Sequence, residues 1–96
     1  MKTLLEDEFE KLDILVSHVA DAIEGLERGD NIIDEDETPR QVYEMVNKIL
    51  ERKDLSKEQR RILQKMIYVG YGLEDIAGNY ADTMNELMET LDDENT

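Results

Sequence analysis

The sequence has no cysteine and no tryptophan, one histidine, one proline and one phenylalanine. Without cysteine there are no disulfides and no thiolate metal sites, which fits a reducing compartment. One histidine leaves almost no route to a transition-metal centre. His18 has Leu15 three residues before it, where a carboxylate-bridged di-iron bundle needs Glu. No apolar run is long enough to cross a membrane, and the N-terminus carries acids where a secretory signal needs bases and an apolar core. A cytoplasmic protein is therefore expected. Bases are also scarce: 11 against 25 acids, for a net charge of −14. A field of that sign repels nucleic acid and anionic lipid and attracts basic surfaces.

The parts for catalysis are missing as well. Ser17 and His18 are adjacent, so on a helix they point in different directions. There is no glycine-rich phosphate loop and no Gly-x-Ser-x-Gly elbow. The acids fall on polar faces, where a carboxylate stays ionised and does not shuttle protons at neutral pH. A calcium loop starting at Asp30 would need an oxygen ligand where Ile32 stands and a glycine where Glu35 stands. The expectation is a non-enzymatic chain with no cofactor and no metal.

What the sequence does have is helical periodicity. Apolar residues fall at Leu5, Phe9, Leu12, Val16, Val19, Ile23 and Leu26, at alternating steps of four and three. That is a heptad seam, the pattern by which one helix packs lengthwise on others. Thr3 with Glu6 reads as a capping box at its start, and Asp7 with Lys11 and Glu24 with Arg28 as four-apart ion pairs. Gly29 marks its stop, so the helix is predicted over about 4–28. Residues 29–37 form an acidic loop in which Ile32 and Ile33 either plug the bundle end or form a docking patch.

A second helix is predicted over 39–53, with Thr38 and Gln41 as a capping box, Pro39 at the first position and Val42, Met45, Val46 and Ile49 on its inner face. A third box, Ser56 with Gln59, opens a seam that keeps steps of three or four from Ile62 to Leu91. The seam favours one long helix over 57–91. Gly70, Gly72 and Gly78 favour a break near 70–72, since each costs about 1 kcal/mol inside a helix; Gly72 would then cap a fourth helix with Glu74 and Asp75 in its first turn. The fold class expected is an all-α, small antiparallel bundle of three or four helices, a single domain over 1–91 with a disordered acidic tail at 92–96. A continuous third helix would outreach the first and leave Tyr80, Met84, Leu87 and Met88 for a second copy of the chain to cover.

Charge comes in blocks. Residues 1–37 hold 13 acids and 3 bases, residues 38–68 hold 4 acids and 8 bases, and residues 69–96 hold 8 acids and no Lys or Arg. The stripe Lys57, Arg61, Lys65 is expected to pair with Glu6, Glu10, Asp13 and Glu27 of the first helix, selecting the arrangement more than stabilising it.

The stretch from Leu55 to Leu63 (Leu-Ser-Lys-Glu-Gln-Arg-Arg-Ile-Leu), followed by Gly72-Leu-Glu-Asp-Ile-Ala77, resembles the opening of a sigma-factor region-four helix-turn-helix. It covers about a quarter of the chain. The resemblance implies a recognition helix after Ala77, but residues 78–91 hold Asp82, Glu86 and Glu89 and no base. A recognition helix needs Arg or Lys for phosphates and base edges. The likeness is therefore assigned to packing grammar shared by short helices.

The function expected is a non-catalytic acidic protein that docks on a basic surface of a partner. It would act as an inhibitor or nucleic-acid decoy (a DNA mimic) of the kind made by phages and mobile elements. The candidate contact residues are Glu6, Glu10, Asp13, Asp21, Glu24, Asp34, Glu35, Asp36, Glu37, Glu74, Asp75, Asp82, Glu86 and Glu89. The alternatives are a homodimeric adaptor working through helix 57–91, and a weak nucleic-acid binder using the basic block 38–68, led by Arg40, Lys48, Arg52, Lys53, Lys57, Arg60, Arg61 and Lys65.

Overall fold

The computed structural model describes residues 4–27, 29, 38–72 and 75–94, with side chains placed for all of these except 26, 27 and 92–94. Among the described residues the chain forms four helices: α1 (Leu4–Glu27), α2 (Pro39–Leu50), α3 (Lys57–Val69) and α4 (Ile76–Glu94). The bundle measures 44 × 23 × 22 Å. Each helix packs on two neighbours in the cyclic order α1, α2, α3, α4, with α1 against α4 the most extensive contact and, among the described residues, no packing across either diagonal.

The register of α3 and α4 follows from three approaches: Gln59 to Thr90, Lys65 to Glu86 and Gly70 to Tyr80. Numbers rise on one helix as they fall on the other, so the pair is antiparallel. A helix-turn-helix crosses steeply and parts company soon after its turn; this pair stays in contact over its whole length. On α2 and α3, Arg60 meets Leu50 and Gly70 meets Pro39, which is antiparallel again.

The α1 seam lies inside as predicted. Leu5, Phe9, Leu12, Val16 and Val19 are buried and Ile23 is half-buried against them. Val42, Val46 and Ile49 of α2, Ile62, Leu63 and Met66 of α3, and Tyr80, Met84 and Leu87 of α4 complete the core. Each large apolar side chain placed there is worth about 1.5–3 kcal/mol relative to exposure. Met66 and Met84 are core residues.

Several expectations need correction. The continuous helix over 57–91 is broken, and α4 turns back on α3. Tyr80, Met84 and Leu87 are therefore buried by their own chain, and the overhang expected to need a second copy does not form. The cap of α4 is neither Gly72 nor a Ser/Thr box. It is Asp75, whose carboxylate accepts from the Gly78 N–H at 3.2 Å while its carbonyl accepts from Asn79. Asp75 holds φ +45°, a left-handed conformation that a short polar side chain tolerates. A Cβ on Gly78 would lie 2.5 Å from the Asp75 carboxylate, so the cap requires glycine there.

Helix α2 stops at Leu50, three residues earlier than predicted. Arg52 N–H bonds to the Ile49 carbonyl at 3.0 Å, tightening the last turn. The Arg60 guanidinium then donates to the Leu50 and Arg52 carbonyls at 3.1 and 2.7 Å, satisfying acceptors that a helix end leaves open. At the other end of α2, Thr38 is the N-cap and Pro39 the first helical residue, but the Thr38 hydroxyl makes no capping bond. The Gln41 N–H it would have accepted from goes to the Thr38 carbonyl at 2.9 Å. The Ser56–Gln59 box forms in full, and the buried Gln59 amide also donates to Thr90, tying the start of α3 to the end of α4.

Gly29 has φ +79°, as a helix stop demands, and Asp7 pairs with Lys11 at 3.4 Å. The Thr3 cap, Arg28, the loop isoleucines and Leu73 lie outside the described residues. Backbone at 92–94 belongs to α4, where a tail was expected; 95 and 96 lie outside the described residues.

Candidate functional site

The packing order brings the two acid-rich helices together. Helix α1 carries eight acids and one base, α4 six acids and no base. Helix α2 carries one acid and two bases, and α3 one acid and four bases. Because α1 packs on α4 and α2 on α3, the bundle is split lengthwise into a strongly acidic half and a mildly basic half.

The basic half is largely engaged with its own surroundings. Arg52 forms a two-point ion pair with Asp54 at 2.9 and 2.8 Å, and Arg60 holds the end of α2. Arg61 pairs with Glu58 on the same helix, Lys65 with Glu86 of α4 at 3.3 Å, and Arg40 with Glu44 at 3.3 Å. The hydrogen bond from Arg52 holds the Asp54 carboxyl below its ordinary range, and that from Arg61 does the same for Glu58. The same bonds raise the two guanidiniums, with the Glu8 charge adding at Arg52. Lys48, Lys53 and Lys57 are exposed and make no ion pair among the described residues. Among the described residues the expected pairing of Lys57, Arg61 and Lys65 with α1 does not occur, because α3 sits diagonally across the bundle from α1; the Glu27 side chain lies outside them.

The predicted contact residues divide accordingly. Asp21, Glu24, Asp82 and Glu89 are exposed, and Glu6, Glu10 and Asp13 half-buried along α1. Glu86 is half-buried and held by Lys65, and Asp75, though exposed, is committed to capping α4. Asp34, Glu35, Asp36, Glu37 and Glu74 lie outside the described residues. Three of the set, Asp13, Asp21 and Glu24, line one groove of about 280 Å³ between α1 and α4. The rest of its lining is uncharged and mostly small, among it Ser17, Ala20, Ala77, Gly78 and Ala81, with Val16 and Met84. His18 is exposed on α1. Among the described residues no group of three His, Cys, Asp or Glu could hold a metal ion, and no helix is long and apolar enough to cross a membrane.

Sequence reasoning missed a second concavity, of about 470 Å³, between the start of α2 and the end of α3. Pro39, Arg40, Tyr43, Glu44, Ile67, Gly70 and Tyr71 line it. Tyr43, Tyr68 and Tyr71 are 41%, 74% and 72% exposed, so every aromatic outside the core lies toward this end of α2 and α3. The signal was the Tyr68-Val-Gly-Tyr71-Gly72 run, whose rings fall off the seam. Beneath it Tyr80 is buried, and burial, with the Tyr71 charge adding, pushes its hydroxyl up to about 12.

The chain matches no family model, no curated protein and no solved structure.

Proposed function

We propose that this chain is a non-catalytic binding protein that presents its α1/α4 half to a basic surface of a partner protein. The observation that carries the reading is the lengthwise division of charge: fourteen acids and one base on the two helices that pack together. Helix α1 is about 36 Å long at 1.5 Å per residue. A DNA duplex of that length carries roughly 21 phosphate charges, so the acidic half approaches two-thirds of duplex charge density over about one helical turn. A groove that binds nucleic acid through Lys and Arg is the kind of basic surface such a rod fits, and occupying it would make the protein an inhibitor acting as a decoy.

The test uses a basic DNA-binding protein as probe and asks whether this chain competes with duplex DNA for it. Competition that weakens steeply as salt rises supports the reading. Absence of competition at low salt, or an affinity that ignores ionic strength, rejects it.

A further inference from the structure

The apolar seam of α3 continues into α4 without a change of step, through Val69, Leu73, Ile76 and Tyr80. Such spacing keeps one apolar face whether the chain reverses after Val69 or runs straight on. The reversal is held by local features that a straight helix would not need. Asp75 occupies left-handed backbone at φ +45°, and its carboxylate fills the space beside Gly78. Gln59–Thr90 and Lys65–Glu86, in contrast, are contacts between helices that any chain with the same sequence could supply.

We infer that the α3–α4 reversal is a hinge through which two copies of this chain exchange α4. In the exchanged dimer residues 57–91 form one rod, and Tyr80, Met84 and Leu87 enter the core of the other copy. The occupant is a second copy because only another α1–α3 framework reproduces the surroundings these side chains have at home. Every helix contact is kept and only the turn changes. Straightening frees Asp75 from left-handed backbone, but places Gly70 and Gly72 inside a helix, so the closed monomer is the ground state and the dimer a minor form trapped by refolding at high concentration. This inference is independent of the proposed docking on a basic surface.

The experiment labels Gln64→Cys and Glu89→Cys with spin labels and dilutes the labelled chain into excess unlabelled chain. The mixture is refolded from denaturant at millimolar concentration and separated by size. In the closed chain the labels lie under about 20 Å apart on neighbouring helices; in the exchanged dimer they lie about 38 Å apart along one helix. The dimer fraction is expected to show the long distance and the monomer the short one. Gly78→Ala displaces the Asp75 carboxylate that caps the closed turn and that the rod does not use, which favours the rod roughly fivefold per chain, so the dimer share should rise. Gly72→Pro blocks the rod; it also removes the Gly72 N–H bond to the Val69 carbonyl at the end of α3, so the dimer should vanish while the monomer stays folded with a lower midpoint. A refolded wild type with no dimer, a dimer showing only the short distance, or a Gly72→Pro chain that dimerises like wild type would overturn the proposal, and the wild-type and Gly72→Pro readings stand even if the Gly78→Ala variant fails to fold.

Discussion

Arg60 offers a sharp test of how the helices are held. Its guanidinium comes from the first turn of α3 and takes two carbonyls at the end of α2, at 3.1 and 2.7 Å. Replacing it with Met keeps the aliphatic stem and removes both donors. Charge-assisted hydrogen bonds contribute about 1.5–3 kcal/mol when buried. Arg60 is only half-buried, so water recovers part of the loss, and the two bonds together should cost about 1.5–2 kcal/mol. For a domain of this size that lowers Tm by roughly 6–16 °C, since each kcal/mol moves it about 4–8 °C. A lysine side chain has one ammonium and no fork, so Arg60→Lys should recover about half. Urea unfolding followed by far-UV circular dichroism would measure both variants. The midpoint should shift with an unchanged m-value, because no surface changes hands. An Arg60→Met protein within about 0.5 kcal/mol of wild type, the range of a neutral surface change, would refute the idea that this side chain seals α2.

Other outcomes follow from the same geometry. Gly78→Ala should destabilise by about 1 kcal/mol despite the better helix propensity, because its Cβ would displace the Asp75 cap; Gly25→Ala, with nothing within 4 Å of its Cβ inside α1, should instead stabilise by about 0.5–1 kcal/mol. Thermal melts of the two variants give the signs. The Tyr80 hydroxyl is pushed up to about 12 by burial. An acid whose folded pKa is raised lends stability that is present below the unfolded value, about 10, and lost as pH climbs from there toward the folded one. Denaturant titrations should lose on the order of 2 kcal/mol across that window, and Tyr80→Phe should flatten the loss. Glu86→Gln, which breaks the exposed pair with Lys65, should change stability by less than about 1 kcal/mol at any salt concentration.

Much of the fold was legible because packing needs periodicity. The α1 seam, the inner face of α2 and the Ser56–Gln59 box all read directly from residue type and spacing. The break between α3 and α4 was not, because the seam keeps its step through the turn. Periodicity records which face is apolar and is blind to whether the chain reverses. The signal lay in Asp75 with Gly78, an acid cap three residues before a glycine that makes room for it, rather than in a Ser/Thr box. Thr38–Gln41 and Ser56–Gln59 look alike in sequence, yet only the second forms a side-chain cap; the competing Thr38 carbonyl is visible only in three dimensions. Charge blocks were legible as counts but not as partners. Nothing in the sequence says that α3 lies diagonal to α1, so the Arg61 and Lys65 pairings went to Glu58 and Glu86. Of the acids, Asp13, Asp21 and Glu24 share a groove, while Asp75 and Glu86 already have structural partners.

The most direct test of the acidic-half reading compares where charge is removed rather than how much. One variant neutralises four acids of the α1/α4 half (Asp13→Asn, Asp21→Asn, Glu24→Gln, Glu89→Gln); the other neutralises four on the α2/α3 side (Glu44→Gln, Glu51→Gln, Asp54→Asn, Glu58→Gln). Both end at the same net charge. Binding to the basic DNA-binding probe, titrated across salt concentrations, should fall at least tenfold, with a shallower salt slope, for the first variant, and stay near wild type for the second. Equal losses in the two would mean that only total charge matters, and the division of the bundle into halves would have no part in recognition.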